Sequence, residues 1–335
     1  MSGIRERSTF SGALVVVLCA LAPGLLVGAQ PLVEALQAAI PYIPAKGDRV
    51  PVWSNGAFLK VQADESAQPE ILAVGPGGRT LSSFTLSVPG AQVVRIRGLS
   101  RDPAGTTAVS GFSVSDDGRV AAFIAFVSST RSDLRVIRTE PYHARSVAMW
   151  PDGTLWTIGN VSRHSDRKDA DPTGGTLRHY DSSGRLLSSY FPESSLDDSL
   201  RAMVGFIVAS PDRVGWISHG DPSANAPRRG GYVEIERDGN PTLYPLPPLS
   251  GDAGAVLYGM GMLEDGSVYV SAVGPDEKQT LYSLDRTTRS WNAVNILGLN
   301  GPLTAAFLHG GSGTVLAISA QNFKAVRLFE PAPAR

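Results

Sequence analysis

Residues 147–159 read VAMWPDGTLWTIG, which is a short apolar run, a Pro-Asp-Gly turn and a second apolar run. Apolar runs on both sides of a tight turn are typical of two antiparallel strands in a β-hairpin. A turn followed by an apolar strand recurs at six places: Asn55-Gly56, Asp117-Gly118, Asp152-Gly153, Asp212-Arg213, Asp265-Gly266 and Ser312-Gly313. The sequence therefore predicts a repeated, all-β unit.

The copies also agree in register. The position three residues beyond each turn is mostly large and apolar, and it holds Leu59, Ala121, Trp156, Trp216, Tyr269 and Leu316. A second hairpin follows, and its first strand aligns at Val74, Ile137, Tyr180, Ile235, Leu284 and Leu328. Each copy is thus two hairpins over about 47 residues, which is the size of a four-stranded propeller blade. The aromatic members of the first column are predicted to pack between blades.

Packing such sheets face to face around an axis buries their faces and leaves only short edges. We therefore predict an all-β propeller of about six four-stranded blades, with seven irregular blades or a jelly-roll-like sandwich as alternatives. Two copies are irregular. The second is short of an outer strand while residues 93–98 supply a surplus one, and the last lacks a fourth strand, for which a segment near Val50 is the candidate.

The N-terminus has the order of an export signal. Arg5 and Arg7 precede an apolar run over residues 13–27, and small residues follow at Gly28 and Ala29. Residues 1–29 are therefore predicted to be a signal peptide, cleaved after Ala29, of a secreted or periplasmic protein. The run is shorter than the roughly 20 residues that span a bilayer, so the mature chain is expected to have no membrane span; an uncleaved N-terminal anchor is the alternative.

Two further regions complete the predicted organisation. Residues 30–49 form an N-terminal segment in which a short helix is expected, because its apolar residues share one helical face: Leu32, Val33, Leu36, Ala39 and Ile40. Residues 50–335 form the propeller domain. The formal net charge is -1, so no basic field is present to attract phosphates, and nucleic acid is not an expected partner.

Two stretches resemble repeats of known propeller families. Residues 112–126, FSVSDDGRVAAFIAF, resemble the repeat of TolB-type propellers, and residues 147–159 resemble repeats of NHL and gluconolactonase-like propellers. These are six-bladed families that include protein-binding and peptide-binding scaffolds, calcium-dependent lactonases and lyases. The resemblance implies the fold more strongly than any activity, and no catalytic or metal-binding residue is transferred from it.

The candidate site residues lie in long loops. In a four-stranded blade, the connection after the second strand and the link to the next blade emerge on one face, and here those connections are long and polar. The candidates for this long-loop face are Arg163, His164, Asp169, Asp171, His219, Asp221 and Arg228. No metal-ligand spacing or nucleophile motif is recognisable. The sequence therefore favours a non-enzymatic scaffold, without a cofactor, that binds a protein, peptide or glycan. The alternative is a metal-assisted lactonase, hydrolase or lyase using a divalent cation such as calcium.

Overall fold

The computed structural model describes residues 29–41, 51–62, 64–130, 133–161, 175–192, 202–218, 230–236, 240–251, 256–297, 307–319 and 325–333. These residues form six antiparallel sheets of four strands each. The first strands of the sheets contact one another in ring order, from the first sheet to the sixth and back to the first. The chain is therefore a six-bladed β-propeller, as the repeat predicts.

The first three blades follow the chain from the axis outward. Blade 1 is β2 (Val52–Ser54), β3 (Ala57–Gln62), β4 (Glu70–Val74) and β5 (Thr80–Thr85); blade 2 is β6 (Val93–Arg101), β7 (Thr107–Val114), β8 (Val120–Val127) and β9 (Leu134–Arg138); blade 3 is β10 (Tyr142–Met149), β11 (Leu155–Val161), β12 (Gly175–Tyr180) and β13 (Leu186–Pro192).

Blades 4 and 5 repeat this order, and blade 6 takes its outermost strand from the N-terminus. Blade 4 is β14 (Ala202–Ala209), β15 (Arg213–Ser218), β16 (Gly231–Glu236) and β17 (Thr242–Pro245); blade 5 is β18 (Leu257–Met262), β19 (Val268–Val273), β20 (Gln279–Asp285) and β21 (Ser290–Ala293); blade 6 is β22 (Phe307–Ser312), β23 (Val315–Ser319), β24 (Ala325–Pro331) and β1 (Leu32–Pro41).

The closing strand corrects two predictions. Residues 32–41 form strand β1, not the expected helix, and β1 pairs antiparallel with β24, with Leu32 opposite Pro331. The fourth strand of the last blade therefore comes from this segment and not from near Val50, where β2 starts blade 1. Leu32 is fully buried in an apolar cluster shared by blades 5 and 6, so β1 belongs to the propeller core.

The irregular second copy has a simple explanation. The Asp117-Gly118 turn joins β7 to β8, the second and third strands of blade 2, whereas the other five predicted turns join first to second strands. The equivalent turn of blade 2 is 102–106, where Asp102 N–H donates to the Thr106 carbonyl and Gly105 has a φ of +92°. The surplus strand at 93–98 is thus the innermost strand β6, and the repeat position assigned to Ala121 belongs to Ala108.

Blades 4 and 5 are joined by a buried ionic network around Glu234, a residue that is 3% exposed. Arg286 of blade 5 donates two hydrogen bonds to the Glu234 carboxylate, each 2.8 Å long, and Arg213 lies 3.4 Å from the same group. The hydroxyls of Tyr232 and Tyr244 donate to it at 3.1 and 3.2 Å. The carboxylate is therefore fully satisfied inside the core.

Candidate functional site

All seven candidate residues of the long-loop face lie outside the described residues: Arg163, His164, Asp169, Asp171, His219, Asp221 and Arg228. The described strands that flank the two segments are β11 with β12, and β15 with β16. Both pairs are the second and third strands of their blades, in neighbouring blades 3 and 4. The topology thus agrees with the strand order that the long-loop face assumes.

A large cavity lies on the propeller axis. It has a volume of about 810 Å³ and is lined by the first strands of all six blades. It also reaches the turn between the first and second strands of every blade, at Gly56, Pro103, Pro151, Pro211, Glu264 and Gly313. In an antiparallel blade these turns lie at the end opposite the long loops. We call this end the turn face, and the cavity's opening there the mouth.

Two glycines allow the inner strands to approach closely around this cavity. A Cβ atom on Gly259 of β18 would lie 2.0 Å from the Leu308 carbonyl oxygen, and one on Gly310 of β22 would lie 2.5 Å from that of Trp53. Both residues have positive φ angles, +133° and +125°, and both sit at bulges in their strands. The wall formed by blades 5, 6 and 1 is therefore backbone packed against backbone.

The cavity wall is mainly apolar. Trp53, Met149 and Met260 are buried in it, while Phe206 and Tyr258 remain partly exposed. Cavities of 300–1,000 Å³ with apolar and aromatic walls and a few polar groups are typical of ligand sites. The aromatic side chains that stay partly exposed here are the surface that a ligand could cover.

Several polar groups of the wall form hydrogen bonds that hold neighbouring blades together. Ser54 Oγ accepts a hydrogen bond from the Arg101 N–H at 2.9 Å and so ties blade 1 to blade 2. Ser100 Oγ accepts one from the Met149 N–H, also at 2.9 Å, and ties blade 2 to blade 3. Trp53 differs, because its indole Nε1 is buried without a hydrogen-bond partner among the described residues.

His309 also lines the cavity but is 5% exposed. Its Nε2 lies 2.8 Å from Ser319 Oγ and its Nδ1 lies 3.3 Å from the Pro51 carbonyl oxygen. Burial lowers the pKa of His309 to about 4, and the hydrogen bond to Pro51 opposes this only in part. The imidazole is therefore neutral near pH 7 and acts as a tie between blade 6 and the residue before β2.

The mouth carries the charge of the site. Among the described residues that line the cavity, Glu264 has the only carboxylate, and none of them is a lysine or arginine. Its backbone N–H donates to the Gly313 carbonyl at 2.8 Å, which holds the turn of blade 5 against that of blade 6. The Glu264 side chain is exposed and forms no ion pair within the described part of the chain.

The aromatic repeat column lies elsewhere, as predicted. Trp156 of blade 3 and Trp216 of blade 4 are 2% and 0% exposed and belong to one cluster between these blades. Tyr269 is buried in the cluster of blades 5 and 6. None of the three lines the axial cavity. These residues pack the blades together.

No group of three or more His, Cys, Asp or Glu side chains among the described residues is placed to hold a metal ion. No helix within those residues is long and apolar enough to cross a membrane.

No family model and no curated protein matches the sequence. Solved structures similar to it include the Pan2 WD40 domain of Neurospora crassa, at 11% identity and a TM-score of 0.46, covering 84% of this chain and 74% of that one. The β-propeller domain of the Trilobed protease from Pyrococcus furiosus has 11% identity and a TM-score of 0.46, covering 86% and 96%. A mutant of Synechocystis apocarotenoid oxygenase has 15% identity and a TM-score of 0.46, covering 83% and 66%. These TM-scores are too low to assign the fold by similarity. The propeller fold is therefore assigned from the six four-stranded sheets of the described residues.

Proposed function

We propose that the protein is an exported, non-catalytic propeller that binds a protein or peptide partner at the axial cavity. The observation that carries the proposal is the cavity of about 810 Å³ with Phe206 and Tyr258 partly exposed in its wall. Binding energy at protein interfaces concentrates where side chains fill apolar pockets lined by aromatic residues. The inner strands that shape this pocket are held by the blade packing, so little ordering is needed on binding.

The long-loop face is a second proposed contact surface, for a protein, peptide or glycan. Its support is the length and polarity of the predicted loops at residues 160–175 and 219–231. The binding function needs no cofactor in this proposal. Metal analysis of the purified mature protein tests this point. A stoichiometric divalent cation such as calcium would favour the alternative, a metal-assisted lactonase, hydrolase or lyase.

Export is expected to remove residues 1–29. Strand β1 begins at Leu32, so cleavage after Ala29 would leave the whole closing strand in the mature chain. A site further along would shorten β1 and expose part of the core that Leu32 fills. Intact-mass measurement of protein from the envelope or medium should give a chain beginning at Gln30. A full-length species that stays with membranes would instead support the uncleaved anchor.

Binding at the cavity is expected to depend on Phe206. Peptides selected on the immobilised mature protein from a random displayed library would be measured by calorimetry against wild type and Phe206→Ala. Loss of a ring that contacts the ligand is expected to weaken binding about tenfold or more. Phe84→Ala is the matched control, because Phe84 is also a partly buried phenylalanine but lies on the outermost strand β5.

The same peptides would be tested against variants of the long-loop face that remove charge at His164, Asp169, His219 and Arg228. Unfolding of each variant would be measured beside its affinity, and a change in affinity at unchanged stability would report contact. If these charge variants bind the peptides more weakly while Phe206→Ala binds them as wild type does, the binding site lies on the long-loop face and not at the cavity. Equal losses in Phe206→Ala and Phe84→Ala would show that the effect is structural.

A further inference from the structure

The charge at the mouth points to the class of side chain that the cavity accepts, an inference that rests on the proposed function. Glu264 has the only carboxylate among the described lining residues, and it is exposed without an ion-pair partner there. No arginine or lysine of the described wall opposes it. A ligand that brings a negative charge to this mouth would therefore meet repulsion, and one that brings a positive charge would find a free carboxylate.

The wall itself supplies a second argument for a cation. Phe206 and Tyr258 are partly exposed in the lining, and aromatic rings attract a cation that lies over the ring face. His309 is neutral near pH 7 because of its burial and its two hydrogen-bond partners, so it adds no positive charge. An arginine or lysine side chain also has an apolar stem that packs well against such a wall.

We propose that the axial cavity admits a basic side chain, arginine or lysine, of a peptide or protein partner through the turn face. The charged group pairs with Glu264 at the mouth, and apolar neighbours in the partner cover the partly exposed aromatic side chains. The interaction is one ion pair at a partly solvated mouth, so we expect it to select among ligands more than to provide most of the affinity.

Three matched tripeptides test this inference: acetyl-Leu-Arg-Leu-amide, its citrulline counterpart and its glutamate counterpart. Citrulline keeps the shape of arginine and removes the charge. The readout is the shift of the Trp53 indole N–H signal in 15N-labelled mature protein, identified with Trp53→Phe. The arginine peptide is expected to bind about three- to tenfold more tightly than the citrulline peptide, and the glutamate peptide least tightly.

Glu264→Gln should remove the preference for arginine over citrulline while leaving citrulline binding unchanged. Asp133→Asn is the control, because Asp133 is an exposed carboxylate on the turn between β8 and β9, outside the cavity lining. It should keep the preference. Two results would overturn the inference about charge while leaving the proposed function standing. One is equal binding of all three peptides to wild type, and the other is an equal loss of the arginine preference in Glu264→Gln and Asp133→Asn. If no peptide shifts the Trp53 signal and Phe206→Ala also has no effect on library peptides, the proposed function itself fails.

Discussion

Replacing Trp216 with alanine is expected to destabilise the protein by about 3–5 kcal/mol, because the side chain is fully buried between blades 3 and 4 and leaves a cavity there. The surrounding strands are held in place by their backbone hydrogen bonds, so they can move only partly into the space that the side chain leaves. The measurement is denaturant unfolding, in which the midpoint should fall while the slope stays unchanged.

Trp216→Phe is the control, since the smaller aromatic ring keeps part of the contact and should lose much less stability. Trp156→Ala should behave like Trp216→Ala, because both residues belong to the same cluster. Peptide affinity measured well below the unfolding midpoint should be unchanged in all three, since none of these residues lines the cavity. If the alanine variants kept wild-type stability but lost peptide binding, Trp156 and Trp216 would contact a ligand and not the neighbouring blade.

Replacing Arg286 with methionine is expected to cost about 3–5 kcal/mol, because it leaves Glu234 as a buried carboxylate without its bidentate partner. Arg213 lies 3.4 Å away but is shared with Asp212, so it compensates only in part. Denaturant unfolding at pH 7 measures the loss. Glu234→Gln combined with Arg286→Met should recover part of it, because the uncompensated charge is then gone.

The pH dependence of the wild type follows from the same network. Burial alone would raise the pKa of Glu234, but the hydrogen bonds and charge of Arg286 outweigh it and hold this pKa below its ordinary value. The pair therefore stabilises the fold above the ordinary glutamate pKa of about 4.3, and this contribution is lost as the pH falls through the lowered value. The gap between wild type and Arg286→Met should shrink in acid. A gap that stays constant from pH 7 to 3 would contradict this role for the network.

The turns show how far the repeat could be predicted from the sequence. The turn at 115–119, between second and third strands, has the same backbone hydrogen bonds as the turn at 150–154, between first and second strands. Gly118 and Gly153 even share φ angles of +77° and +80°. Local turn chemistry therefore identifies a hairpin but not its place in the blade. The true turn of blade 2 carries Ala104-Gly105, whereas the other five turns have Asn, Asp or Ser at the first of these two positions. The polar residue by which the pattern identifies a turn is therefore missing there.

Strand β1 could not be predicted for a different reason. The apolar residues of 32–40 fit one face of a helix, so local periodicity favours the wrong structure. What decides the outcome is the unpaired edge of β24, almost 300 residues further along the chain, together with the ion pair between Glu34 and Arg327. Long-range pairing overrides local preference at this place.

The axial cavity was beyond sequence reasoning altogether. Phe206, Tyr258 and Glu264 come from blades 4 and 5, while Trp53 comes from blade 1, and no local motif joins them. Each is an ordinary strand or turn residue when read alone. Only the closure of the ring brings them to one wall, so the fold could be predicted and the site could not.

The pairing of β1 with β24 also determines how the molecule responds to a pulling force. Leu32 lies opposite Pro331, and the Gln30 side chain donates to the Ala332 carbonyl, so both points of attachment sit at the same end of an antiparallel ladder. Leu32 also exchanges backbone hydrogen bonds with Asn295 and Leu297 of blade 5, and these bonds would share the load. Once they break, tension would open the β1–β24 ladder from this end, one pair after another, and would not load the whole ladder in shear. The ring would therefore open first where β1 closes blade 6.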